Sequence, residues 1–106
     1  MKNHQTMIDA CLACIIACEN CATECINMAD RTHLRCIALC RDCADICNLC
    51  TRFEARSSAF SRQIMKLCTE VCTICAEECE RHAHHDEHCR LCAEACRKCA
   101  EECMAY

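Results

Sequence analysis

Four stretches of the chain repeat one pattern, in which a cysteine recurs at alternating steps of three and four residues with polar or small residues between. The steps run 3, 4, 3, 4 through Cys11, Cys14, Cys18, Cys21 and Cys25, and 4, 3, 4, 3 through Cys36, Cys40, Cys43, Cys47 and Cys50. They run 4, 3, 4 through Cys68, Cys72, Cys75 and Cys79, and 3, 4, 3, 4 through Cys89, Cys92, Cys96, Cys99 and Cys103. A mean step of 3.5 is close to one helical turn, so each run marks one face of an α-helix. These are the a and d positions of a heptad, normally filled by Leu and Ile. The pattern predicts an all-α, antiparallel up-down-up-down four-helix bundle whose core is lined with cysteine.

Helix 1 is predicted from about Gln5 to Met28, with Asn3 or Thr6 as its N-cap. Met7 and Met28 extend its stripe by one step at either end. Ile15, Ala17, Ala22 and Glu24 flank the stripe and are expected at the seams, whereas Leu12 and Ile16 point outward. The connection Ala29-Asp30-Arg31-Thr32, with Asp30 or Thr32 as cap, is short enough to make helices 1 and 2 antiparallel neighbours. Helix 2 is predicted to about Phe53, then a polar connection over 54–58 with Ser57 or Ser58 as cap, then helix 3 to about His82. Met65 lies three residues before Cys68, where the other runs carry a fifth cysteine. It is either a soft-sulfur ligand standing in for that thiol or a core filler. After Arg81-His82-Ala83-His84-His85, with Asp86 as cap, helix 4 runs from about Glu87 to the C-terminus, its stripe extended by Tyr106. No linker divides residues 1–106, which are expected to form one domain. The topology sends Met28, His33, His82, His85 and the nearby His88 to one end. Met7, Phe53, Glu54, Phe60, Met65 and Tyr106 go to the other. One imidazole-rich mouth and one apolar mouth are expected.

Composition sharpens this picture. The 106 residues contain no Gly and no Pro, 19 Cys, and three aromatic residues besides histidine, with a net charge of −4. Ala, Leu, Ile, Glu, Arg and Lys between the cysteines favour helix. No basic patch with interleaved aromatics speaks for a nucleic-acid partner. No run of about 18 consecutive apolar residues speaks for a membrane partner. An apolar leader is not visible before Cys11, so the expected compartment is the cytoplasm, where thiols stay reduced. The odd cysteine count also disfavours a disulfide scaffold.

Thiolates three or four residues apart on a helix can converge on one ion, and facing helices in a bundle bring further sulfurs to it. The result is a tube of sulfur about 20 Å long. Soft thiolates select soft ions, Cu(I) and Zn(II) foremost. Zinc prefers closed sets of four ligands, which a uniform stripe does not single out. Cu(I) accepts two or three sulfurs, and bridging thiolates would allow on the order of 15–20 ions per chain. Nineteen buried thiolates without metal would be prohibitively costly, whereas neutral thiols pack as small hydrophobes. Each entering Cu(I) displaces about one proton, so the core stays near neutral. No catalytic triad or carboxylate pair is visible, and no enzyme is expected. The alternatives are a zinc or general heavy-metal thiolate buffer, a CxxC thiol redox protein and an iron–sulfur carrier.

From Met7 to Cys103 the chain resembles the bacterial copper storage proteins, four-helix bundles with cysteine-filled cores, and specifically their cytosolic members. The resemblance implies many Cu(I) ions held in the core and a homo-oligomer, commonly a tetramer. It implies all 19 cysteines as ligands, with His33, His82 and His85 assisting at one mouth. Helix 3, with four cysteines and Met65, departs from the pattern. Leu12, Ile16, Leu49, Leu67, Ile74 and Leu91 lie off the stripes and suggest an oligomer surface.

Overall fold

The computed structural model describes residues 4–105. Asn3 and Tyr106, expected as a cap and as a stripe position, lie outside them. Four helices follow one another: α1 (His4–Met28), α2 (Leu34–Ala55), α3 (Ser61–Glu80) and α4 (Glu87–Ala105). The bundle measures 41 × 20 × 17 Å. Each helix packs on its sequence neighbour, and α1 also packs on α4, which closes the ring. Antiparallel register is written in the sulfurs. Cys14 meets Cys43 and Cys21 meets Cys36 between α1 and α2. Cys36 meets Cys79 and Cys47 meets Cys68 between α2 and α3. Cys25 meets Cys89 and Cys11 meets Cys99 between α1 and α4.

All 19 cysteines are buried, none more than 6% exposed. Beside them lie Ala22, Ala44, Ala76, Ala93 and Ala100, also buried, each directly following a cysteine. A methyl group at that flanking position lets neighbouring backbones approach closely enough for sulfurs from different helices to touch. Of the other flanking positions, Ile15 and Ala17 are half-buried, whereas Glu24 is exposed and does not close a seam. Leu12 and Ile16 face outward as expected. Outside the core, Arg97 of α4 reaches Glu80 of α3 with a two-pronged hydrogen bond of 2.7 and 2.9 Å. By length and composition α1 is apolar enough to cross a membrane, with mean hydropathy 1.4. Its cysteine face is nevertheless buried against the other helices, as in the core helix of a helical bundle.

The helix ends differ in detail from the sequence expectation. Thr6 lies inside α1 rather than capping it. Asp30 caps a short 3₁₀ turn, Arg31–His33, by accepting from the Thr32 amide at 2.9 Å, so Thr32 is a capped residue and not a cap. Ser57 is not the N-cap of α3. It sits past the C-terminus of α2 in the left-handed region (φ 51°), where its amide donates to Glu54 and the Ser58 amide to Phe53. That pair of bonds is a Schellman closure. Ser58 Oγ accepts from the Phe60 amide instead. Ala29 holds the equivalent left-handed position after α1 (φ 54°). Glycine normally occupies such positions, and this sequence has none.

A side chain at a left-handed position costs about 1–2 kcal/mol, partly offset by the greater unfolded-state freedom of glycine. Ala29→Gly and Ser57→Gly are therefore each expected to stabilise the metal-free protein by about 0.5–1 kcal/mol in urea unfolding. A lowered unfolding midpoint in both would contradict this account of the turns.

Candidate metal centre

Turning every a and d position inward places thiols from four helices in one column. All 19 are free, with no disulfide. Neighbouring sulfurs stand 3.5–4.0 Å apart, among them Cys43–Cys72 at 3.5 Å, Cys47–Cys99 at 3.7 Å and Cys40–Cys92 at 3.7 Å. With a metal–sulfur bond of about 2.3 Å, two ligands of one ion stand about 3.8 Å apart in a tetrahedral site and about 4.0 Å in a trigonal one. The metal-free spacing already equals the ligand spacing, so ions can enter with little movement of the helices.

The thiols form overlapping rather than separate sets. Cys11, Cys68, Cys99 and Cys103 lie within 4.8 Å of one another, as do Cys14, Cys47, Cys72 and Cys99. The same holds for Cys14, Cys18, Cys43 and Cys96, for Cys18, Cys75, Cys92 and Cys96, and for Cys21, Cys36, Cys40 and Cys79. Cys14, Cys18, Cys96 and Cys99 each belong to two of these sets. A shared sulfur must bridge two ions if both sets fill, which favours a continuous cluster over isolated closed sites.

At the histidine end, burial first and the neighbouring Cys36 second push the Cys25 thiol up to about 11 from its ordinary 9.0. Burial likewise raises Cys89, helped by Cys36 and Cys25. These thiols stay protonated at neutral pH and become thiolates when a cation takes the place of the proton.

The histidine end holds more polar structure than the sequence suggests. His33 is buried, 4% exposed. Its Nε2 stands 2.9 Å from Asp86 Oδ2, and its ring stacks on His82 at 4.1 Å. His82 Nε2 stands 3.1 Å from Glu78 Oε2, and Glu78 also accepts from Arg35 at 3.0 Å and Arg81 at 3.3 Å. His33 and His82 are thus brought together, but each is held by a carboxylate. His85 is exposed, its ring against His84, and is not brought to the thiols. Met28 is 41% exposed and does not continue the stripe, because the 3₁₀ turn carries the chain away there. His88, expected near this end but not among the candidate ligands, is also partly buried. Its Nε2 is buried without a hydrogen-bond partner, a free nitrogen donor one residue before Cys89.

The opposite end is not simply apolar. Met7 is fully buried and Met65 nearly so, but Phe60 is 62% exposed and Phe53 is half-buried under the Arg56 guanidinium. Glu54 and Glu102 are buried there, Glu54 paired with His4 at 3.1 Å and Glu102 with Lys98 at 2.8 Å. Ion pairing lets both carboxylates sit at the end of a thiol core, and the i, i+4 spacing of Lys98 and Glu102 was the readable signal.

The family model described as copper storage protein matches residues 1–106. The uncharacterized cysteine-rich protein YhjQ of Bacillus subtilis (strain 168) is 42% identical over 87 residues, 81% of this chain and 79% of that protein. Among solved structures, the Cu(I)-bound copper storage protein BsCsp3 superimposes with a TM-score of 0.90 at 40% identity, covering 95% of this chain and 94% of that one. A cytosolic copper storage protein from Streptomyces lividans, loaded with five coppers, gives a TM-score of 0.89 at 37% identity, covering 96% and 89%.

The raised thiols fix a pH dependence. Between the unfolded value of 9.0 and the folded value of about 11 for Cys25, the unfolded chain has lost a proton that the folded chain keeps. Ionisation then favours unfolding. The stability of the metal-free protein is expected to be level between about pH 7 and 9 and to fall as pH rises towards 11. Anaerobic urea unfolding across pH 7–11 checks this, and a rise over the upper half of that range would contradict it.

Proposed function

The chain belongs to the copper storage protein family, and on that premise we propose that it binds many Cu(I) ions through thiolates lining the bundle core and so holds copper in store. It is a storage protein and not an enzyme. The observation that carries this reading is the column of 19 buried free thiols at ligand spacing. Each Cu(I) enters as cargo, displaces thiol protons to solvent and takes two or three sulfurs. Bridging then lets neighbouring ions share ligands. All 19 cysteines are the proposed ligands, and Met65 packs beside them at the far end as a core residue. His33, His82 and His88 serve the histidine mouth, and His85 stands at its outer rim. The carboxylates on His33 and His82 hold their rings in place.

We place the protein in the cytoplasm, in keeping with the Streptomyces lividans relative, described as cytosolic. We also propose a homotetramer. Leu12, Ile16, Leu49, Leu67, Ile74 and Leu91 are all 36% or more exposed, an outward apolar surface that association would cover.

Anaerobic titration with Cu(I) against a chromophoric chelator should reach on the order of 15–20 ions per chain. A plateau at about four or fewer would remove the storage reading, and zinc outcompeting copper at equal stoichiometry would replace it with a buffer of closed zinc sites. Replacing His33, His82 and His88 together with Ala is expected to slow uptake several-fold in stopped-flow while final capacity stays nearly the same. Unchanged kinetics would place the route of uptake elsewhere. Sedimentation should give a particle about four times the 12.0 kDa chain, and a monomer would contradict the oligomer.

A further inference from the structure

We propose that Met7 Sδ, together with Cys11 Sγ and Cys50 Sγ, forms a three-sulfur Cu(I) site that closes the core at the end away from the histidines. The inference rests on the storage reading and adds to it a thioether ligand. Met7 lies on α1 one step before Cys11 and is fully buried. Its Sδ accepts from Cys11 Sγ at 3.6 Å and from Cys50 Sγ at 3.9 Å. Two thiols from two helices therefore aim their protons at one thioether lone-pair region. Methionine as plain filler has no need to receive two S–H donors, and a thioether is a weak acceptor.

The place each proton occupies is the place a soft cation takes. Cu(I) entering between the three sulfurs forms two Cu–thiolate bonds and one Cu–thioether bond and releases the two thiol protons to solvent. The oxidation state does not change, and the site carries one net negative charge. The two distances from Met7 Sδ, 3.6 Å to Cys11 Sγ and 3.9 Å to Cys50 Sγ, are close to the about 4.0 Å expected between ligands of a trigonal site. A thioether suits the end of the column, because it supplies a third soft donor without a further charge to bury. It also makes up for the fifth thiol that α3 lacks at this end. Met65, which holds the corresponding stripe position on α3, is buried but is not the methionine that the thiols address. Met28 and Met104 are 41% and 71% exposed and take no part.

Selenomethionine-labelled protein, fully loaded with Cu(I), is examined by selenium-edge X-ray absorption alongside the Met7→Leu and Met65→Leu variants. Both substitutions nearly conserve volume, so the fold is expected to persist. The inference predicts a selenium–copper scattering path in the parent and in Met65→Leu, its loss in Met7→Leu, and a capacity about one ion lower in Met7→Leu. A fully loaded parent without a selenium–copper path, or a path that survives in Met7→Leu, overturns the Met7 site and leaves storage intact. A parent that takes up about four ions or fewer overturns the storage reading beneath it.

Discussion

Contact between sulfurs inside the bundle is the constraint on which everything else depends. A thiol is small and weakly polar, so a core of thiols is stable when neutral and becomes a ligand field once its protons leave. The same 3.5–4.0 Å spacing serves as van der Waals packing in the metal-free protein and as ligand spacing in a loaded one. Folding and binding then draw on one geometry. The helices need not be assembled by metal, unlike small zinc domains, whose folding waits for the ion.

That double use explains the rest of the sequence. Alanine directly after Cys21, Cys43, Cys75, Cys92 and Cys99 narrows the bundle until sulfurs from different helices touch. Leu12, Ile16, Leu49, Leu67, Ile74 and Leu91 lie on the outside, where they remain exposed on each chain. Charged groups close the two ends. Glu78 gathers Arg35, Arg81 and His82 at one, and Glu54 and Glu102 take His4 and Lys98 at the other. The core is thereby sealed by groups that keep hydrogen bonds and compensate charge, while the thiols within remain dry.

The helices, their order and their inward face were legible in the sequence, because a strict 3–4 alternation leaves one solution for where a side chain points. Which thiols lie buried in the core followed from the same periodicity. The ends were not legible to the same degree. His33 and His85 share a similar distance from a stripe, yet one is buried against Asp86 and the other lies on the surface against His84. Turn geometry decided that difference, and in the turn before α2 it depends on left-handed Ala29, which the sequence does not advertise with glycine. His88 lies off the stripe, directly before Cys89, so periodicity alone does not mark its buried nitrogen. Met7 was recognised as a stripe position, but only three-dimensional proximity to Cys50, 43 residues away, gives its sulfur a chemical role.

The central claim is that the interior itself is the store, with sulfur shared between ions. Copper-edge X-ray absorption on fully loaded protein tests it most directly. A first shell made almost wholly of sulfur, with short copper–copper scattering from bridged ions, is the predicted result. A shell dominated by nitrogen or oxygen, or a sulfur shell without copper–copper scattering, would contradict it.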